Sequence, residues 1–74
     1  MDTGCLWYDA SDRPLSFKLA TASRFYTQKY GLVPNLCHVH PSAVEKDGLI
    51  DGIMVKRDKM VVKGHLFIGV LDES

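Results

Sequence analysis

The residues with the most chemistry to offer lie in PNLCHVHP, where Pro34 and Pro41 bracket Cys37, His38 and His40. Alternate residues of a strand project to one face, so His38 and His40 could present two imidazoles to one metal ion, with zinc the best suited. Two ligands do not close a site. A third would have to come from His65 or from an acid on a neighbouring element, because Cys37 points away from both histidines. No CxxC, HxxxH or His-rich tract accompanies the pair, and the expectation is a chain without metal or other cofactor.

Nucleophilic catalysis by Cys37 with His38 as its base meets the same geometry, since neighbours in a strand face apart. His65 could serve the thiol from a distance, but an orienting acid and an oxyanion hole would still be needed. Gly48, Gly52, Gly64 and Gly69 are scattered and make no phosphate-cradling loop. The expectation is a non-enzymatic protein. Cys5 and Cys37 are too few for a disulfide scaffold and read as reduced, buried thiols.

The elements that would position these groups follow from pattern. Cys5 to Asp9, with Leu6, Trp7 and Tyr8, reads as a short strand. Asp12 can cap a helix that has Pro14 in its first turn, where a missing N–H is harmless. Leu15, Leu19, Ala22, Tyr26 and Tyr30 then recur three or four residues apart and form one apolar stripe, the core face. Gly31 can take the left-handed conformation that ends a helix, and Pro34 prevents its resumption.

Asn35 to His40 is the next strand, and strand, helix and strand make a βαβ crossover that sets it beside the first. Ser42 to Glu45 has capping-box spacing for a single helical turn. Ile53–Val55 and Met60–Val62 read as a hairpin about the polar run Lys56–Lys59. His65 to Leu71 is the most apolar strand. The chain is thus expected to be a single domain, residues 1–74, of two-layer α+β class. One long helix packs on a mostly antiparallel sheet of four to five strands, β-α-β followed by hairpin strands.

With 74 residues a domain buries about 60% of its unfolded surface, so room for an enclosed cleft is limited. Nine basic and nine acidic residues balance, so no net field attracts nucleic acid or a membrane. The opening MDTGCLWYDA lacks a basic start and an apolar run, and no segment is apolar for long enough to cross a bilayer. A cytoplasmic protein is the expectation.

Charge becomes informative only locally. Between Arg13 and Tyr30 stand Arg13, Lys18, Arg24 and Lys29 with no acid, whereas helices commonly mix signs at spacings of three and four. On the wheel Arg13, Phe17, Arg24 and Gln28 lie nearly opposite the apolar stripe, which puts Phe17 on the polar side. Either the N-terminal segment folds over the first turn and buries Phe17 against Trp7 or Tyr8, or these four residues form a basic partner-binding surface with an aromatic centre. The partner would be another protein. A nucleic-acid backbone is the alternative, not favoured in the absence of any recognised module pattern. A second basic group, Lys56, Arg57, Lys59 and Lys63, reads as solubilising charge on a turn.

One demand remains. Leu66, Phe67, Ile68, Val70 and Leu71 cannot all face a single helix, so one set must find another cover. The candidates are the loop from Pro41 to Gly52, the N-terminal segment, or a second copy in a two-fold homodimer.

Overall fold

Leu66, Ile68 and Val70 project from one side of β5 (His65–Val70), and Leu19, Ala22 and Tyr26 meet them from α1 (Leu15–Tyr30). The computed structural model describes residues 3–71. Around that contact are β1 (Thr3–Tyr8), β2 (Leu36–Val39), β3 (Gly48–Ile50) and β4 (Ile53–Arg57), in one mixed sheet of order β1-β5-β2-β4-β3. The α+β class and two-layer build are those expected. Among the described residues only the β2–β4 pairing is parallel.

β2 does not lie beside β1. β5 inserts between them and is antiparallel to both, so the two ends of the crossover are parallel but one strand apart. The most apolar strand thereby gains a neighbour on each edge, and both rows of its side chains are shielded laterally. In register, Cys5, Ile68 and Cys37 form one row and Trp7, Leu66 and Val39 the next. With Ile53 and Val55 these rows make the floor on which α1 sits.

The hairpin also differs from expectation. Met60–Val62 is not a strand; β4 pairs instead with β3 about Asp51-Gly52, whose φ values of 50° and 82° suit the left-handed turn that matches strand twist. The segment after β4 turns back at Asp58, whose N–H donates to Val39 O at 2.7 Å. Val61 is buried while Met60 and Val62 point outward.

The helix ends as its sequence demands, Gly31 at φ 70° donating its N–H to Thr27 O at 2.8 Å. Its start does not. Pro14 holds the N-cap position without any side-chain cap, and Asp12 plays no part. Proline's fixed φ serves an extended N-cap, and Pro14 O accepts from Phe17 N and Lys18 N. The turn after β2 is a 3₁₀ helix, Pro41–Ala43, capped by the His40 side chain rather than by Ser42. Leu15 and Tyr30, the ends of the expected stripe, are only partly covered.

Truncating a buried leucine costs about 2–5 kcal/mol, much of what so small a domain possesses. Leu19→Ala is therefore expected to unfold or severely destabilise the protein in urea or thermal melts. Phe17→Ala, on the opposite side of the helix, should change stability by no more than about 0.5 kcal/mol. A Leu19→Ala melting temperature within a few degrees of wild type would reject the packing described.

Candidate functional site

The two histidines of PNLCHVHP are not a pair. β2 ends at Val39, so only His38 is a strand residue. His38 Nδ1 lies 2.9 Å from Asp58 Oδ2, and because a carboxylate only accepts, Nδ1 carries the proton. His40 has the opposite arrangement: Ser42 N–H donates to its Nδ1 at 3.0 Å, leaving the proton of the neutral ring on Nε2. To ligate a metal through Nε2, His40 would have to surrender the 3₁₀ cap. His65 stacks on Tyr8 with ring centroids 4.8 Å apart and directs Nδ1 to Lys63 O at 3.3 Å. Among the described residues no group of three or more His, Cys, Asp or Glu is placed to hold a metal ion.

Cys37 is buried on the helix side of the sheet, whereas His38 and His65 lie on the other face. Burial pushes its thiol up to about 12, so no useful thiolate forms at neutral pH. Cys5 sits two strands away across Ile68, roughly 10 Å by strand spacing, too far for a disulfide without backbone movement.

The sheet face opposite α1 is largely apolar. Leu6, Phe67, His38 and Lys56 form one cross-strand row and Gly69, Leu36, Met54 and Leu49 the next. Residues 58–63 fold over one end of it. A hollow of about 350 Å³ lies there between Leu6, His65 and Phe67 of the sheet and Met60, Val61 and Val62 of the loop. Asp58 holds that loop: Oδ2 receives His38, Oδ1 receives Met60 N at 2.9 Å, and its carbonyl receives Val61 N at 3.1 Å. This clasp carries no signal in the sequence, because its members are separated by 20 positions and meet only through the parallel β2–β4 pairing.

On the outer side of α1 the four partner-binding candidates stay together. Arg13, Phe17, Arg24 and Gln28 are all exposed, and the Arg13 guanidinium lies 4.5 Å from the Phe17 ring centroid. Phe17 keeps 44% of its surface and is not folded against Trp7 or Tyr8. Phe25 takes that place, its ring 4.5 Å from Trp7, yet it remains 53% exposed and widens the aromatic surface toward β1. Phe25 lies about 80° round the helix from Phe17 and off the apolar stripe, the one local signal that it too is drawn away from the sheet. Trp7 Nε1–H is buried without an acceptor among the described residues, at a cost of about 1–3 kcal/mol, so ring packing rather than polar contact places this side chain.

Of the second basic group, Lys56 projects from the uncovered sheet face, and Lys59 and Lys63 belong to the loop folded over it, a full layer away from the outer stripe of α1. Arg57 lies in the Val39 row on the α1 side of the sheet, where its guanidinium donates to Pro41 O at 3.4 Å. Among the described residues no helix is long and apolar enough to cross a membrane. Comparison with protein-family models, curated proteins and solved structures finds no match.

The Asp58 clasp has a pH signature. The His38 hydrogen bond, followed by that from Met60 N–H, lowers the Asp58 carboxyl below its ordinary value. A carboxyl depressed in the folded state stabilises it above the unfolded value of about 3.9, and that contribution disappears as pH falls through the folded value. Asp58→Asn should therefore melt below wild type at pH 7, and the gap should close under acid conditions. A gap that is constant across the acid range would show that the carboxylate does not hold the loop. A chelator should leave the melting curve unchanged; a drop restored by zinc would revive the metal site.

Proposed function

We propose that this chain is a small non-enzymatic protein-binding module that receives an acidic surface of its partner on the outer stripe of α1. The observation that carries the reading is Phe17, left 44% exposed beneath Arg13 on a segment with four basic residues and no acid. A domain short of apolar burial would be expected to use a phenylalanine in its core. Here the ring stacks on a guanidinium, with Arg24 and Gln28 exposed along the same stripe. Arginine and aromatic side chains dominate interface hot spots because they bury much area and keep directional contacts. Charge specifies the complement: a carboxylate-bearing surface with an apolar centre. A nucleic-acid backbone would engage the same arginines, but without Lys56, Lys59 and Lys63, which lie across the molecule.

A synthetic peptide alternating glutamate and leucine, its glutamine counterpart and a short single-stranded oligonucleotide provide the test, with backbone amide shifts as the readout. The acidic peptide should perturb the amides of Arg13, Phe17, Arg24 and Gln28, and the glutamine peptide should not. Arg13→Glu with Arg24→Glu, or Phe17→Ala alone, should weaken binding tenfold or more without lowering the melting temperature. Tighter binding of the oligonucleotide on the same stripe would replace the protein reading by the nucleic-acid one. If none of the probes moves these amides, the assignment of the stripe falls.

A further inference from the structure

The uncovered sheet face carries both a knob and a hollow. The knob is Met60, 89% exposed on the loop after β4, with Val62 exposed beside it. That loop lies where β2 ends and β5 begins, as the Asp58 N to Val39 O bond and the His65 N to Val62 O bond fix it. The hollow lies at the other end of the same strands. It has a volume of about 340 Å³ and is lined by Asn35, Leu36, Leu49, Met54, Lys56 and Leu71. Leu36, Leu49 and Met54 form a single cross-strand row there, on the side away from α1.

We propose that two copies of this chain stack through their uncovered sheet faces as a two-fold dimer, with Met60 of each protomer seated in the Leu36–Leu49–Met54 hollow of the other. The knob lies over β1 and β5 and the hollow over β2, β4 and β3, so a two-fold axis in the interface, oblique to the strands and perpendicular to the line from knob to hollow at its midpoint, exchanges the two and satisfies both knobs at once. Faces of two sheets stacked this way pack about 10 Å apart, a gap that side chains must fill. An unbranched methionine adapts to an irregular cavity.

Charge favours the same register. The knob loop bears Lys59 and Lys63, while the hollow end bears Asp51 in the β3–β4 turn. Lys56, on the rim of the hollow, opposes the two lysines, so the apolar contact must supply most of the affinity. The two longer dimensions of the molecule, 30 and 23 Å, bound a flat face at roughly 700 Å², against about 800 Å² per partner in a standard interface. The dimer is accordingly a dissociable one, and it leaves the outer stripe of α1 exposed on both copies.

Sedimentation of the full chain from about 1 μM to 1 mM, a span chosen to bracket weak association, should show the mass rising from 8.3 kDa toward twice that value. Met60→Lys and Leu49→Lys alter side chains exposed in the monomer and should each raise the dissociation constant at least tenfold with the melting temperature of dilute protein unchanged. In a Cys5→Ser background, an equal mixture of Met60→Cys and Leu49→Cys chains should form a disulfide-linked heterodimer under mild oxidation, while neither variant does so alone. A constant 8.3 kDa mass throughout the range would overturn the proposal and leave the face to a different protein. A dimer unaffected by Met60→Lys, or one in which each cysteine variant cross-links with itself, would overturn it equally.

Discussion

A strand in the middle of a sheet sends alternate side chains to opposite sides, and a chain with one long helix can cover only one of them. β5 meets that constraint at full strength. Leu66 and Ile68 are buried under α1, where complete burial of each is worth about 1.5–3 kcal/mol, Val70 is partly covered beside them, and His65 and Phe67 are left on the far side. Most other features are responses to that imbalance. The segment from Asp58 to Gly64 forgoes strand pairing to lie over Phe67, and Val61 is its buried anchor. The anchor would be weak alone, so the His38–Asp58 hydrogen bond and the bonds from Asp58 to Met60 and Val61 pin the loop at its root. The histidine that looked like a ligand is thus a fastening.

Helix, stop signal and central strand were legible because each depends on contacts a few residues apart. The i, i+3, i+4 recurrence of Leu19, Ala22 and Tyr26 is visible whatever the sheet does, and Gly31 acts within its own turn. Strand order was not legible. Whether β2 or β5 lies beside β1 depends on pairings between residues 57 to 67 positions apart, from Tyr8 with His65 to Thr3 with Val70, for which one sequence holds no local record. The misplaced hairpin arose from competition between two turn signals. Asp51-Gly52 is the stronger, but β3 before it has only three residues and reads as loop, so the longer apolar run at Met60–Val62 dominates the local pattern.

The candidate surface shows the same division. The outward position of Phe17, Arg24 and Gln28 follows from helical periodicity, whereas Arg13 precedes α1 and joins them through its guanidinium on the Phe17 ring. Which phenylalanine packs with Trp7 does not follow. Phe17 and Phe25 are eight residues apart and about 80° apart on the wheel, and only the lateral position of β1 decides that Phe25 takes the indole. Phe17 is thereby left for Arg13, whose guanidinium covers part of the ring without burying it. Its exposure follows from sheet order, which explains why local pattern left both readings open.

A net charge of zero conceals a segregation that bears on both surfaces. The acids of the described chain lie in turns and loops, at Asp9, Asp12, Glu45, Asp47, Asp51 and Asp58, and α1 has none. At physiological ionic strength a charge is felt over about 8 Å, shorter than the thickness of a two-layer domain. A partner approaching α1 therefore meets Arg13 and Arg24 and not the balanced total. On the opposite face, Asp58 is already engaged by His38, so Lys59 and Lys63 set the local sign at the loop end, while Asp51 and Lys56 stand toward the other. The outer face of α1 is thus basic, with Asp9 and Asp12 near Arg13 at its N-terminal end, and the other face is basic at the loop end and mixed at the hollow end. The first pattern suits a different, acidic surface, whereas the second suits its own image turned end for end.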